Sequence, residues 1–348
     1  MSSGKKPGKT AGSKPISLAL QGGGAHGAFT WGVIDQIVED GRLTIDAISG
    51  TSAGAMNAVV FADGWLHSGA DGARAGLERF WRSVSSDGRL NSTQRRIFDA
   101  FLGVSTFDSF GWVDFWTNFI RSQVSPYDFN PLNINPLKDF LEDEIDFGRV
   151  RACKDVRLFI TATNVESGKA KVFKSPELTA DHVMASACLP TLFQAVEIEG
   201  VPYWDGGYMG NPALYPLFAG TGADDILLVQ INPVERKGTP TTPEDIRNRL
   251  NEITFNATLL RELRAIDFVV RLIEQGKLST GEYKKILMHR IALSEALHDI
   301  EASSKLDSQW KFFVTLKDAG RAAARAWLAE HYDDIGRRAT IDLRKEFG

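Results

Sequence analysis

Short apolar runs alternate with longer stretches whose apolar residues recur at helical spacing. Ile16-Ser17-Leu18-Ala19-Leu20 is short, apolar and followed at once by glycines, which predicts a buried first strand. From Ala28 to Val38, Phe29, Val33, Ile34 and Ile37 fall on one helical face, predicting a helix. The apolar run Ile45-Asp46-Ala47-Ile48 predicts a second strand over Asp46–Ser49, and Ala53–Leu66 a second helix. Two buried strands, each followed by a helix, are the pattern of a parallel sheet covered by helices. The expected fold class is therefore α/β.

The rhythm breaks between about 80 and 136. There Trp81, Phe98, Trp112, Phe115, Trp116 and Tyr127 stand among Gly, Ser, Asn and Pro, which predicts a largely helical insertion over the cleft. Most of its aromatics are expected to pack its own small core. A minority are available to line an acyl groove or meet a lipid surface, where amphipathic Trp and Tyr are favoured. The sheet then resumes with a strand over Arg157–Thr163 and a hairpin partner at Lys171–Phe173. A helix over Thr179–Ala187, a strand over Asp225–Ile231, a long helix over Pro243–Gln275 and a strand over Ile286–Ile291 follow. Gln309–Ala329 and Asp333–Phe347 read as closing helices.

Bulk properties narrow the function classes. The chain has 348 residues, of which 43% are hydrophobic and 24% charged, so length and composition suit a large buried core. A net charge of -4 gives no electrostatic footing for nucleic acid. The two cysteines, Cys153 and Cys188, are far apart and lack metal-ligand spacing, so neither a disulfide framework nor a zinc site is expected. Residues 1–14 read as a polar, basic tail without the apolar core of a secretory signal, and no segment is apolar for long enough to span a bilayer. The expectation is a cytoplasmic protein that meets membranes or lipid granules only at their surface.

The chemistry concentrates at two strand ends. Gly50-Thr51-Ser52-Ala53-Gly54 follows the second strand and opens the second helix, the setting of a nucleophile elbow. Gly22-Gly23-Gly24-Ala25-His26-Gly27 joins the first strand to the first helix. Consecutive glycines let backbone N–H groups converge on one spot, as an oxyanion requires. The hexapeptide also fits the dinucleotide fingerprint Gly-x-Gly-x-x-Gly. That reading wants an acidic residue at the end of the second strand, and this strand ends in Ser49-Gly50-Thr51-Ser52. In a parallel sheet both loops open on one edge and face each other.

A base is harder to find. After Ser52 come His67, His182, His289, His298 and His331, none at a glycine-rich strand end, and each reads as a surface or core-edge residue. Asp205-Gly206-Gly207 has the right setting, after the apolar run Val201-Pro202-Tyr203-Trp204. A carboxylate in a partly dry pocket is a stronger base. By itself the same tripeptide is equally a turn.

Taken in order, the glycine loop, the elbow and Asp-Gly-Gly resemble the patatin-like phospholipase family. Thr161-Ala162-Thr163-Asn164-Val165-Glu166-Ser167-Gly168, Ala185-Ser186-Ala187-Cys188-Leu189-Pro190, Asn211-Pro212 and the helix at Asn251–Asn256 agree with it. The resemblance runs from about Ile16 to Ile231. It implies a three-layer α/β/α catalytic domain over 15–232, with a mainly helical extension over 233–348. It further implies a Ser52–Asp205 dyad without histidine, oxyanion donors at Gly22, Gly23 and Gly24, and no metal or cofactor. Ser186 and Cys188 are assigned structural roles beside the site. Many members carry Arg or Lys where this chain has His26, which puts phosphate recognition there in doubt. The implied substrate is a lipid or other acyl ester. A hydroxyalkanoate depolymerase, an acyl thioesterase and a non-catalytic lipid-binding module remain open beside the phospholipase reading.

Overall fold

The computed structural model describes residues 12–85, 125–130, 133, 136–219, 221–294 and 309–347. In chain order the strands are β1 (Lys14–Leu20), β2 (Leu43–Gly50), β3 (Arg157–Asn164), β4 (Ala170–Lys174), β5 (Val196–Ile198), β6 (Val201–Asp205), β7 (Asp225–Gln230) and β8 (Leu287–Ala292). The α-helices are α1 (Gly27–Asp40), α2 (Ala53–Ser83), α3 (Pro126–Phe129), α4 (Pro136–Glu144), α5 (Phe147–Ala152), α6 (Ala180–Ser186), α7 (Pro216–Ala219), α8 (Pro243–Glu274), α9 (Gln309–His331) and α10 (Leu343–Phe347).

The strands form one sheet in the order β5-β6-β3-β2-β1-β7-β8, with β4 also paired to β3. The five strands β3-β2-β1-β7-β8 are parallel. β4, β5 and β6 pair antiparallel at one side. Successive residues of the central strands feed two cores on opposite faces. Leu18, Leu20, Ile48, Ile160 and Val229 belong to one, and Ala19, Ala47, Phe159 and Leu228 to the other. A strand buried on both faces has no polar side, which is why these segments read as continuous apolar runs. The first core takes in residues of α1, α2 and α9, and the second residues of α8 and α10. The fold is thus α/β with helices on both faces of a mostly parallel sheet.

Most expected elements are present within a few residues of their predicted bounds. The helix expected over Ala53–Leu66 is followed by a break at Ser68 and Gly69 (φ 64°), after which α2 continues to Ser83. The aromatic insertion largely falls on residues 86–124, outside the described residues. At its near end Phe80 and Trp81 are buried in the main core. The helix expected over Asp333–Phe347 is a correction. A short turn spans Tyr332–Asp334, Gly336 takes φ 77°, and only Leu343–Phe347 is helical. Backbone bonds from this segment go to the sheet instead: Gly336 N–H donates to Asp225 and Thr340 N–H to the Met288 carbonyl. The histidines need one correction too. His289 is fully buried in β8, where its ring nitrogens meet Asp225 Oδ1 at 2.9 Å and Thr340 Oγ1 at 3.1 Å. Both ring polar atoms are satisfied there, which makes the burial tolerable. His67 is exposed, and His298 lies outside the described residues.

One buried side chain ties together the two helices that start at the glycine loop and the elbow. Asn57 in α2 donates to the carbonyls of Gly27 and Ala53 and accepts from Trp81 Nε1 at 3.1 Å. Asn57→Ala would leave the buried Trp81 N–H without its acceptor and remove the bond that ties α2 to the Gly27 carbonyl of α1, at a cost of about 1–3 kcal/mol. Chemical denaturation should show that loss as a lower midpoint with an unchanged slope; an unchanged midpoint would contradict the account.

Candidate active site

Register places the chemistry. Leu20 pairs with Gly50, so Gly22 lies level with Ser52 across neighbouring strands. Gly50 pairs with Ile160, so β3 runs on past the end of β2. The antiparallel β6 pairs with that overhang, and its last residue, Asp205, sits opposite Ala162. Ala162 is two residues beyond Ile160, as Ser52 is two beyond Gly50. The three sequence motifs thus converge on one edge of the sheet.

Ser52 holds φ 54° and ψ -120°, a conformation costing a non-glycine residue roughly 1–3 kcal/mol. Neighbouring bonds pin it. Its N–H donates to Ser186 Oγ at 2.9 Å, and its carbonyl accepts Met56 N–H at 3.0 Å. Thr51 Oγ1 donates to the Gly210 carbonyl at 2.7 Å, and Thr51 N–H to the Leu20 carbonyl at 3.3 Å. Close approach explains the glycines. A Cβ on Gly54 would stand 2.3 Å from the Leu20 carbonyl oxygen, and one on Gly22 2.7 Å from the Ser52 Cβ.

Asp205 is almost wholly buried, 1% exposed. Its N–H donates to the Cys188 carbonyl at 2.7 Å, and its own carbonyl accepts Thr163 Oγ1 at 2.8 Å, so its backbone is held on both sides. Oδ1 accepts the Gly207 N–H at 2.7 Å. Oδ2 is enclosed and has no fully formed hydrogen bond. Burial pushes the carboxyl up to about 7; the Gly207 N–H and the nearby Ser52 hydroxyl oppose the shift. The Ser52 contact falls short of hydrogen-bond geometry.

The glycine loop departs from expectation at one residue. The Gly22 N–H is taken by Asn211 Oδ1 at 2.6 Å and is not offered to the cleft. The N–H groups of Gly23 and Gly24, and that of Ala53 at the start of α2, have no acceptor among the described residues. Ala25 is buried, and Gly27 is the first residue of α1. Gly206 and Gly207 form the turn after Asp205, where Gly206 packs against the Thr161 carbonyl. Enclosure of the His26 ring lowers it to about 4, and a bond to the Gly23 backbone opposes that shift. His26 is therefore a neutral brace of the loop at neutral pH, where Arg or Lys would be a cation. Cys188 is also buried, which pushes its thiol up to about 12 and keeps it protonated. Among the described residues no group of three or more His, Cys, Asp or Glu is placed to hold a metal ion.

The residue reading missed the amides behind the loop. Gln21 Oε1 accepts the N–H groups of Ile231 and Asn232, both at 2.9 Å, and Gln21 Nε2 donates to Asn256 Oδ1 at 3.1 Å. Asn211 appeared in the sequence only as part of a motif, and Gln21 and Asn232 had no signal beyond lying next to apolar strands.

A sequence model of the patatin-like phospholipases matches residues 18–218, more than half of the chain. A lysophospholipase of Aspergillus terreus, nte1, is 27% identical over 223 residues, which span 64% of this chain and 12% of that protein. Among solved structures, VipD from Legionella pneumophila is 15% identical at a TM-score of 0.35, covering 88% of this chain and 67% of that one. ExoU of Pseudomonas aeruginosa, solved with SpcU, is 16% identical at a TM-score of 0.31, covering 95% and 76%. With its glycine loop, elbow and Asp-Gly-Gly turn all inside the matched span, this chain belongs to the patatin-like phospholipase family.

Proposed function

We propose that the chain is a serine lipid acyl hydrolase working through a Ser52–Asp205 dyad. The observation that carries this reading is the buried, half-satisfied Asp205 carboxylate, brought by strand register to the level of a strained Ser52. Family membership supports a lipid ester as the substrate class, and lysophospholipid is the first substrate to test.

In the proposed reaction Asp205 takes the proton from Ser52 Oγ, and Oγ bonds to the ester carbonyl carbon. The carbonyl π pair moves onto oxygen, where the N–H groups of Gly23, Gly24 and Ala53 stabilise it. Collapse expels the alcohol, which takes the proton back from Asp205 and leaves an acyl-Ser52. Water then gives a proton to Asp205 and adds to the acyl carbon; collapse breaks the bond to Ser52 Oγ, which takes that proton back from Asp205 as the fatty acid leaves. The positive end of α2 lies beside the developing charge and adds to its stabilisation. A carboxyl near 7 is a far stronger base than an ordinary Asp, so burial performs part of the work a histidine does elsewhere.

Ser52→Ala should lower ester hydrolysis on the order of 10⁴-fold or more and abolish fluorophosphonate labelling. Asp205→Asn should lose a comparable factor, because the two groups act as a unit. Retained hydrolysis in Ser52→Ala would overturn the proposal, and product analysis on lysophospholipid, phospholipid, short-chain ester and acyl-thioester panels would identify the substrate. The base acts only when ionised, so kcat/KM should rise about tenfold per pH unit below about 7 and level off above it. His26→Gln should leave that inflection in place, since His26 titrates near 4. Loss of the inflection in His26→Gln would reassign the base.

A further inference from the structure

We infer that Asn232 and Asn211 are positioning residues that aim the Gly22–Gly23 peptide, making Gly23 N–H an oxyanion donor; the inference rests on the acyl-hydrolase reading. In a trans peptide the carbonyl of one residue and the N–H of the next point in opposite directions. The Gly22 carbonyl accepts Asn232 Nδ2 at 2.6 Å and Asn211 Nδ2 at 3.3 Å. Gly23 N–H therefore points away from both carboxamides, and it has no acceptor among the described residues. Glycines at 22, 23 and 24 offer little steric resistance to a flip of this peptide plane. What holds its direction must be hydrogen bonds, and these two amides supply them.

The residue types fit the task. Asn211 accepts the Gly22 N–H and donates to the Gly22 carbonyl, so it grips both sides of the residue as a neighbouring strand would. A carboxamide carries both an acceptor and a donor for this; a carboxylate at 211 would keep the first bond and repel the carbonyl. Asn211 is fully buried, and no water competes for it. Asn232 is in turn placed by Gln21, whose Oε1 accepts the Asn232 N–H. Gln21 Nε2 also donates to the Asn211 carbonyl at 3.3 Å and to Asn256 Oδ1, while Asn256 Nδ2 donates to the Pro233 carbonyl at 3.0 Å. The clamp thus joins chain segments after β1, β6 and β7 with α8.

The test compares wild type, Ser52→Ala, Asn232→Ala, Asn232→Asp and Asn211→Asp. Each is assayed for kcat and KM on a soluble acyl ester, and for melting temperature. Affinity is measured for a trifluoromethyl ketone, whose adduct with Ser52 carries the oxyanion, and for a neutral fatty alcohol of the same chain length, which has no anionic oxygen. Removing one oxyanion donor costs about 10²–10³ in kcat, which sets the upper end of the effect. Asn232→Ala should lower kcat about 10- to 100-fold with KM within about twofold, and Asn232→Asp should lose more. Ketone affinity should fall by the same factor as kcat/KM while fatty-alcohol affinity holds, which a merely structural role would not produce. Asn232 is only half-buried, so its variants should remain folded; Asn211→Asp repeats the test from the other amide. The inference is overturned if the Asn variants hydrolyse at the wild-type rate while Ser52→Ala is inactive. It is also overturned if ketone and fatty-alcohol affinities fall together. Undiminished hydrolysis by Ser52→Ala would instead remove the Ser52–Asp205 dyad, and this inference with it.

Discussion

The arrangement of the site depends on β3 outrunning β2 by the length of a short edge. Because β3 continues past the Gly50–Ile160 pair, an antiparallel strand can dock on its free end and stop at Asp205. A one-residue slip of that pairing would turn Asp205 to the opposite face of the sheet and remove it from Ser52. The elbow and the glycine loop carry the same dependence, since both begin where the Leu20–Gly50 pair ends. Hydrogen-bond register in the sheet, more than any single side-chain contact, fixes the distances among the three motifs.

That scaffold lets an unfavourable group persist. An enclosed carboxylate with one unfilled oxygen is costly by itself. Here the surrounding backbone is tied at Cys188, Thr163 and Gly207, so the carboxyl cannot relax toward solvent. The same holds for Ser52, whose strained backbone is fixed by Ser186 and by the Thr51 bonds to Leu20 and Gly210. Strain and burial at the site are borne by a sheet with two complete cores.

Much of this was legible in the residues. Continuous apolar runs gave the central strands because each is buried on both faces, and helical spacing gave α1, α8 and α9. Ser52 and the glycine loop were visible because their demands are local: a turn, a close approach and exposed N–H groups. Asp205 was ambiguous by itself, since its role comes from a long-range pairing that no short window contains. The Gly22 N–H was misread for the same reason, its acceptor Asn211 being 189 positions away. His289 looked peripheral because its partners, Asp225 and Thr340, are equally remote in sequence. The composition of residues 333–347 permits a helix, whereas Gly336 and bonds to the sheet hold the stretch before Leu343 as an irregular strap.

Helix α8 bears on where the working unit ends. The family match closes at residue 218, with both Ser52 and Asp205 inside it. Yet Gln21 is met by Asn256, Gly207 by the Phe255 ring, and the N–H groups of Leu214 and Tyr215 by the Glu262 carboxylate, each at 2.8 Å. All three partners belong to α8, and β1 gains its second neighbour only from β7. The span shared with the family model and the span that braces this edge of the sheet therefore have different borders, so exchanging residues 18–218 alone would move Ser52 and Asp205 without the helix that frames them.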